Sequence, residues 1–152
     1  MSGFLIMRTM SKIRKVRLQI NQSDEPVILG IVSAEPDYKL SLALNRNLGI
    51  SLKNSLPVLP DELPGDEHSF SRFSYTSLSG TLTCDLTSNH SGKSFLISKL
   101  KNIDYFFHIN DPDNELDMDK IISQIRETFC VTAVLRISTG SIKDKNLHHL
   151  IR

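Results

Sequence analysis

The sequence predicts an α+β fold, in which a largely antiparallel sheet of about six to seven strands carries two main helices packed on one face. Segments with alternating apolar and polar residues outnumber the helical segments, and short turns join most of them, as in antiparallel sheets. With 152 residues, 39% of them hydrophobic and 23% charged, the chain has the length and composition of one globular domain. We expect this domain over residues 12–140, after a flexible N-terminal extension at 1–11 and before a polar, basic C-terminal tail at 141–152.

The first two strands are predicted at the start of the domain. Between Lys12 and Ile20, apolar side chains alternate with basic ones, which is typical of a half-buried strand with a basic outer face. Turn-forming residues follow at 21–26, and Val27 to Val32 then forms a more buried run. This order predicts a β-hairpin between the two strands.

A helix is predicted next. Pro36 suits a first helical turn, Asp37 is favoured at the positive end of the helix dipole, and Gly49 is placed to end the helix. Its apolar stripe consists of Leu40, Ala43, Leu44 and Leu48. Leu42 falls off this stripe, which predicts that the helix is covered on more than one side.

The remaining elements alternate between loops, strands and one more helix. Residues 51–67 contain three prolines and four acidic residues, which predicts a loop. Ser79 and Gly80 are typical of a hairpin turn between two strands. The further strands are predicted at 69–78, 81–88, 95–97, 103–109 and 130–137. A second helix should begin near 113–115, with an apolar stripe of Leu116 or Met118, Ile121, Ile122, Ile125 and Phe129.

Charge and cysteine content argue against several classes of protein. A net charge of +1 gives the chain no overall attraction to nucleic acid or membrane, so such binding would need a local patch. Two cysteines, Cys84 and Cys130, are too few for a small domain held by disulfides, and we interpret both as reduced thiols. The sequence shows no signal-peptide or membrane-span pattern. We therefore expect a cytoplasmic protein without membrane contact.

One segment is similar to the end of a phosphate-binding loop. It reads Ser-Gly-Lys-Ser at 91–94, but the glycine that such a loop needs five positions before Gly92 is replaced by Thr87. A strand pattern follows, where the motif requires a helix whose N-terminus faces the phosphate. The segment is therefore better interpreted as a hairpin turn than as a nucleotide site.

A second segment is similar to the opening of a calcium loop. Acids and an amide alternate from Asp111 to Glu115, but the required glycine and bidentate glutamate are replaced by Leu116 and Ile122. Acidic residues also stabilise the start of a helix through capping and the helix dipole. We interpret the segment in this second way.

The histidines do not form a recognisable metal or catalytic pattern. No two of them have the i, i+4 spacing of a helical metal site, and no Cys-x-x-Cys pair accompanies His68, His90, His108, His148 and His149. His108, in an alternating strand, is compatible with a place in a site, but we interpret it as a surface residue because that is the more common position of such a histidine. The chain also has no local nucleophile signature such as Gly-x-Ser-x-Gly. The sequence thus predicts no catalytic residue, no cofactor and no metal site.

Basic residues are concentrated near both ends of the chain. If the first strand and the tail lie close together, a positive patch able to hold a phosphate backbone would consist of Arg14, Lys15, Arg17, Lys143 and Lys145. The alternative is a solvated edge strand, in which Lys and Arg side chains prevent edge-to-edge aggregation without any ligand. Of the two interpretations, we favour the solvated edge strand, which needs no ligand.

The segment at 97–105 resembles the signature of an uncharacterised bacterial family named for the pattern Ile-Pro-Glu-x-x-x-Val-Asp-Tyr. Ile97, Asp104 and Tyr105 match the pattern, Ile103 replaces its valine, and residues 98–99 depart from its Pro-Glu pair. The predicted helix and the strand after the motif are also similar, so the resemblance extends from about Val16 to Lys145. It implies a single-domain bacterial cytoplasmic protein and no assigned activity, cofactor or substrate.

The sequence favours a non-enzymatic protein-binding module, which would also allow a homo-oligomer through a sheet edge or a helix face. The residues that we expect to contact a partner are Asp37, Tyr38, Asn45, Asp104 and Tyr105. An RNA- or ribosome-associated protein that binds through the basic termini is the alternative. An enzyme of unknown class is a second alternative, and would require a concave pocket that gathers titratable residues.

Overall fold

A computed structural model describes residues 26–60, 69–142 and 144–151 of the chain. Within them the strands are β1 (Val27–Val32), β2 (Lys53–Val58), β3 (Phe70–Thr76), β4 (Thr83–Ser88), β5 (His90–Ser91), β6 (Ser94–Phe95), β7 (Tyr105–Asn110) and β8 (Ala133–Ile137). The α-helices are α1 (Asp37–Leu48) and α2 (Met118–Arg126), and 3-10 turns lie at Ser98–Leu100, Thr139–Ser141 and Leu147–His149. The extension predicted at 1–11 and the strand predicted at 12–20 lie outside the described residues.

Six strands form one sheet in the order β2-β3-β4-β7-β1-β8, and every neighbouring pair is antiparallel. β5 and β6 form a separate small hairpin. The predicted α+β fold is therefore confirmed. β1 lies inside the sheet, because Gly30 pairs with Phe106 of β7 on one edge and with Leu135 of β8 on the other. The other strand of the predicted hairpin, at 12–20, lies outside the described residues, and among the described ones β7 and β8 pair with the two edges of β1.

The two helices cover one face of the sheet and enclose an apolar cluster, which we name the helix-side cluster. α1 contributes Leu40 and Leu44, and α2 contributes Ile121 and Ile125. These side chains pack on alternate residues of the central strands, namely Leu29, Ile31, Leu86, Phe107 and Ile109. Burying one such side chain stabilises a fold by roughly 1.5–3 kcal/mol, so the apolar stripes of both helices contribute much of the stability.

The opposite face of the sheet carries a second apolar cluster, because successive residues of a strand point to opposite faces. We name it the second-face cluster, and its buried members are Ile28, Val58, Phe70, Leu96, Ile97, Ile103, Phe106 and Leu150. The covering side chains come from residues 96–103 and from the C-terminal segment. Part of the predicted polar tail thus packs on the sheet, and Leu150 is only 3% exposed.

The loop predicted at 51–67 contains a strand, β2, so the prediction is wrong for Lys53–Val58. Pro57 weighed against a strand in the sequence, since proline lacks the N–H group that a sheet uses. β2 is the first strand in the sheet order, and its register with β3 shifts between Ser55 and Val58. Sheet edges and bulges are the places where strands tolerate proline. Residues 61–67 lie outside the described part of the chain.

Three predictions about apolar residues are also wrong. Leu42 on α1 is 59% exposed and Phe129 is 85% exposed, so neither side chain is covered. α2 ends at Arg126, before the position at which Phe129 would continue the apolar stripe. The strand predicted at 95–97 ends at Phe95, because the next two residues leave β6 and enter the second-face cluster.

The acidic segment before α2 is a helix start, as the sequence indicated. Asp111 accepts hydrogen bonds from the backbone N–H groups of Glu115 and Leu116, both at 2.9 Å. Asp117 then caps the helix, and its side chain accepts from the first turn. α2 therefore begins at Met118, a few residues later than predicted, because the turn closed by Asp111 precedes it.

Candidate functional site

Three connections meet at one end of the sheet. The first connection follows β1 at residues 33–36, the second follows β4 after Ser88, and the third leads into β7 before Tyr105. Ser88 and Tyr105 are paired across the two strands. The connections surround a cleft of about 430 Å³. We name it the Asp104 cleft, and its lining consists of Ser33, Ala34, Glu35, Pro36, Ser88, His90, Asp104 and Tyr105.

Asp104 directly precedes β7 and is fixed by contacts to β1 and to the connections that follow β1 and β4. Its Oδ2 accepts a hydrogen bond from the backbone N–H of Ser33 at 2.9 Å, and its Oδ1 lies 3.0 Å from Nε2 of His90. The backbone N–H of Asp104 donates to the carbonyl of Ile31 at 3.0 Å. Both carboxylate oxygens therefore have protein partners, and the carboxylate is oriented before any ligand arrives.

His90 lies between this carboxylate and an aromatic ring. Nε2 of His90 is the donor in its contact with Asp104, because a carboxylate only accepts hydrogen bonds. The ring of His90 contacts Phe95 at a centroid distance of 4.7 Å. Ser88 Oγ accepts from the backbone N–H of His90 at 3.1 Å and donates to its carbonyl at 2.9 Å. This oriented, partly exposed His–Asp pair can hold a polar ligand or exchange a proton with one.

Tyr105 closes the cleft on the side of α1. Its hydroxyl donates to the carbonyl of Glu35 at 2.6 Å. Burial raises the pKa of Tyr105 to about 12, and the negative charges of the carboxylates of Asp37, Asp104 and Glu35 act in the same direction. The phenol is thus neutral at physiological pH. The same charges show that the first residues of α1 and the cleft form one acidic region.

The structure brings together most of the residues predicted for partner contact. Asp104 and Tyr105 line the cleft, and the charge of Asp37 acts on the Tyr105 hydroxyl. Tyr38 follows Asp37 at the start of α1 and is 55% exposed. Asn45 is separate, since its side chain binds the backbone N–H and carbonyl of residue 52 at 2.7 and 3.2 Å and so fixes the end of α1.

Of the predicted basic patch, the structure describes only Lys145. Arg14, Lys15, Arg17 and Lys143 lie outside the described residues. Lys145 is exposed, and its carbonyl lies 2.8 Å from Nδ1 of His148. The joining of the two basic termini into one patch therefore stays a prediction.

Sequence reasoning missed His90, Ser33 and Glu35 as members of the site. The only signal for His90 was its position just after a predicted strand, and the antiparallel register of β4 with β7 is what places it beside Asp104. Such a register depends on pairing between distant residues, which a single sequence does not reveal.

His108 was interpreted as a surface residue, and this interpretation is wrong, because its side chain is only 3% exposed. It lies in the middle of β7, opposite Asp85 of β4, with Nδ1 3.6 Å from the Asp85 carboxylate. Asp85 also accepts a hydrogen bond from Ser74 Oγ. Neither ring nitrogen of His108 has a hydrogen-bond partner among the described residues. This polar row lies within the sheet and does not line the Asp104 cleft.

Two kinds of feature are absent from the described ranges. Residues 26–60, 69–142 and 144–151 contain no group of three or more His, Cys, Asp or Glu side chains placed to hold a metal ion. Nor does any helix in those ranges combine the length and apolar character needed to cross a membrane. The structure gives Cys84 as a buried and Cys130 as a half-buried free thiol.

A scan of protein-family models, a search of curated proteins and a search of solved structures each found no match to this chain. The similarity to the Ile-Pro-Glu-x-x-x-Val-Asp-Tyr pattern therefore stays a prediction.

Proposed function

We propose that the protein is a non-enzymatic, protein-binding module whose contact surface is centred on the Asp104 cleft. The observation that supports this most directly is the convergence of three carboxylates, from Glu35, Asp37 and Asp104, beside exposed aromatic side chains. The cleft gives the surface its shape, the carboxylates give it charge, and the aromatic residues give it apolar area.

The charge of the cleft selects a basic partner segment. Complementary potentials bring partners together faster and exclude partners of the same sign. One cation already lies beside the cleft, since Lys39 Nζ is 3.7 Å from the Glu35 carboxylate. This exposed i, i+4 pair is worth only about 0.3–0.5 kcal/mol, so a lysine or arginine of a partner can displace it at little cost.

The aromatic residues beside the cleft provide the apolar contact. Tyr38 is 55% exposed, and Leu42, one turn further along α1, is 59% exposed. Phe129 is 85% exposed and directly precedes Cys130, whose carbonyl accepts from Ser33 Oγ at 2.7 Å. Exposed aromatic residues around a polar depression are typical of the anchors that contribute most of the energy of an interface.

The cleft is preorganised, which favours binding. Asp104 and His90 are held by the contacts described above, and Glu35 is tied at its carbonyl by Tyr105 and at its N–H by Ser33 Oγ, at 3.2 Å. Binding of a partner therefore costs little conformational entropy on this surface, because its side chains are already ordered.

Removing the aromatic anchors should greatly reduce the recovery of the partner. We expect the Tyr38→Ala/Phe129→Ala variant, tagged and purified from its own cells, to recover at least tenfold less of the partner that the unchanged protein recovers. The charge-neutral Glu35→Gln/Asp37→Asn variant should bind more weakly at low salt and approach the unchanged protein at high salt, because screening removes the electrostatic term. Quantitative mass spectrometry of the eluates measures both effects.

The matched control for this experiment is the Leu56→Ala/Leu78→Ala variant. Its two residues are also exposed, at 81% and 109%, but lie on β2 and in the β3–β4 turn. Equal losses in the two double variants would contradict the proposal, as would an unchanged protein that recovers no stoichiometric partner.

RNA or ribosome binding through the basic termini is a second candidate. Its one described residue, Lys145, is held at the surface because the following turn packs on the sheet through Leu147 and Leu150. RNA binding that weakens steeply with salt, and less steeply in the Arg14→Ala/Lys15→Ala/Arg17→Ala variant, is the expected result. Binding that is indifferent to salt and to these substitutions would contradict it.

A further inference from the structure

A basic segment lies between the last residues of β4 and the start of β7. Residues 86–103 contain three lysines and one histidine but no aspartate or glutamate, although the whole chain has 17 acidic and 18 basic residues. The chain without this segment would therefore carry a net negative charge. The segment is a local concentration of positive charge in a protein whose net charge is only +1.

Asn89 gives this segment one fixed shape. Its side chain is completely buried and makes three hydrogen bonds to backbone groups. Nδ2 donates to the carbonyls of Leu100 and Ile103, both at 2.9 Å, and Oδ1 accepts from the N–H of Ile97 at 2.8 Å. Ile103 also packs over Gly30, where an added Cβ would lie 3.0 Å from its Cδ1 atom. The Asn89 hydrogen bonds and the contact of Ile103 with β1 thus hold the segment against the sheet.

The lysines lie on the outside of this anchored segment. Lys93 is at the β5–β6 turn, beside Gly92 with φ 59°, and Lys99 lies in the 3-10 turn. Lys101 follows, and all three side chains are exposed. Since the apolar residues between them are buried against the sheet, the segment presents its cations to solvent on a preformed surface.

An aromatic ring lies among these cations. Phe95 is half-buried, its ring contacts that of His90, and Nζ of Lys101 lies 5.8 Å from the Phe95 centroid. Cations that neutralise phosphates, combined with an aromatic ring on which a base can stack, are the features by which proteins bind single strands without sequence preference. We name Lys93, Phe95, Lys99 and Lys101 the Lys99 surface.

We propose that the Lys99 surface binds a single-stranded nucleic acid, with the lysines on phosphates and Phe95 stacked on a base. A membrane surface would require exposed apolar residues as well as lysines, and none of the exposed large hydrophobic residues of the described chain lies in residues 86–103. Two acids lie near the segment, namely Asp104, which contacts His90, and Asp144, which accepts from the backbone N–H of Asn146 at 2.9 Å.

The C-terminal turn extends the surface. Nδ2 of Asn146 donates to the carbonyl of Leu96 at 2.9 Å, which places Lys145 and His148 beside the basic segment. The Lys99 surface is a different site from the basic termini and does not depend on the Asp104 cleft for its cations. A test of nucleic-acid binding at the Lys99 surface can therefore fail or succeed independently of the protein-binding proposal.

The test is fluorescence anisotropy with the full chain and labelled probes of about 12 nucleotides, as single-stranded RNA, single-stranded DNA and duplex DNA, at low and moderate salt. We expect the Lys93→Ala/Lys99→Ala/Lys101→Ala variant to bind single-stranded RNA at least tenfold more weakly. The slope of log affinity against log salt should fall by about 2, because three phosphate contacts are lost. Phe95→Leu should weaken single-strand binding about tenfold and leave duplex binding unchanged, since only an unpaired base can stack.

A charge-matched control removes three exposed cations elsewhere, in the Lys53→Ala/Lys120→Ala/Arg126→Ala variant. It should retain the affinity of the unchanged protein, and thermal unfolding should show that all variants are folded. The proposal is overturned if the unchanged protein does not bind, or if the control loses as much affinity as the lysine variant. Loss of binding only in the Arg14→Ala/Lys15→Ala/Arg17→Ala variant would assign the site to the termini instead.

Discussion

Replacing Asn89 by alanine is expected to lower the free energy of unfolding by about 2–5 kcal/mol, because the change leaves two buried backbone groups without their partner at once. These groups are the N–H of Ile97 and the carbonyl of Ile103, and the carbonyl of Leu100 loses one of its two bonds and keeps the one from the N–H of Ile103. Asn89→Asp should be nearly as harmful, since a carboxylate can accept from the N–H but cannot donate to the two carbonyls. Urea unfolding followed by circular dichroism measures the change.

Asn102→Ala is the matched control, because Asn102 is an exposed asparagine in the same segment. It should change stability by less than about 0.5 kcal/mol, as most surface substitutions do. A loss below about 1 kcal/mol for Asn89→Ala would show that the segment rearranges to pair its own backbone. In that case the anchored shape assumed for the Lys99 surface would not hold.

The second large effect concerns alkaline pH and Cys84. Burial raises the pKa of its thiol from 9.0 to about 12, and the charges of Asp85 and Asp111 contribute in the same direction. The unfolded chain therefore releases this proton near pH 9, while the folded protein retains it. The resulting stability is fully present below pH 9 and is lost as the pH rises through about 12.

For the unchanged protein, this one thiol should remove about 2 kcal/mol of stability between pH 8 and pH 10.5. Cys84→Ala removes the titrating thiol, so the variant should lose about 2 kcal/mol less stability over the same pH range. Its stability at pH 8 is lower than that of the unchanged protein because the substitution leaves a small cavity. Denaturant unfolding at a series of pH values measures the two slopes. Cys130→Ala is the control, since that thiol is half-buried, and it should keep most of the slope of the unchanged protein. Parallel curves for the unchanged protein and Cys84→Ala would contradict the prediction.

The sequence was informative where a pattern is local. The end of α1 could be predicted, because Gly49 adopts the left-handed conformation, at φ 70°, that ends a helix. The β3–β4 hairpin could also be predicted from its turn, where Gly80 has φ 83°. By contrast, β2 could not be predicted, because the exclusion of proline from strands is relaxed at a sheet edge. Phe129 fits a helical stripe by spacing, but the helix ends before it.

The candidate site was predictable only in part, for the same reason. Asp104 and Tyr105 were selected from the sequence as a polar pair at the start of a strand. His90 and Glu35 join them because strands distant in the chain are neighbours in the sheet. The role of Asn89 was also hidden, since its three partners lie 8 to 14 residues away and nothing in their identity indicates the contacts. A buried polar side chain is recognised by its surroundings and not by its neighbours in sequence.

The position of β1 between β7 and β8 has a consequence for how the protein is made. Val27 pairs with Ile109, and Ile28 pairs with Ile137, so the first described strand obtains both neighbours from the last part of the chain. During synthesis β1 leaves the ribosome long before either neighbour exists, and it is an apolar strand with two open edges until then. Contacts of such long sequence separation slow folding and leave intermediates prone to aggregation. We therefore expect nascent chains that stop before β7 to require a chaperone, and folding to be completed only after β8 has emerged.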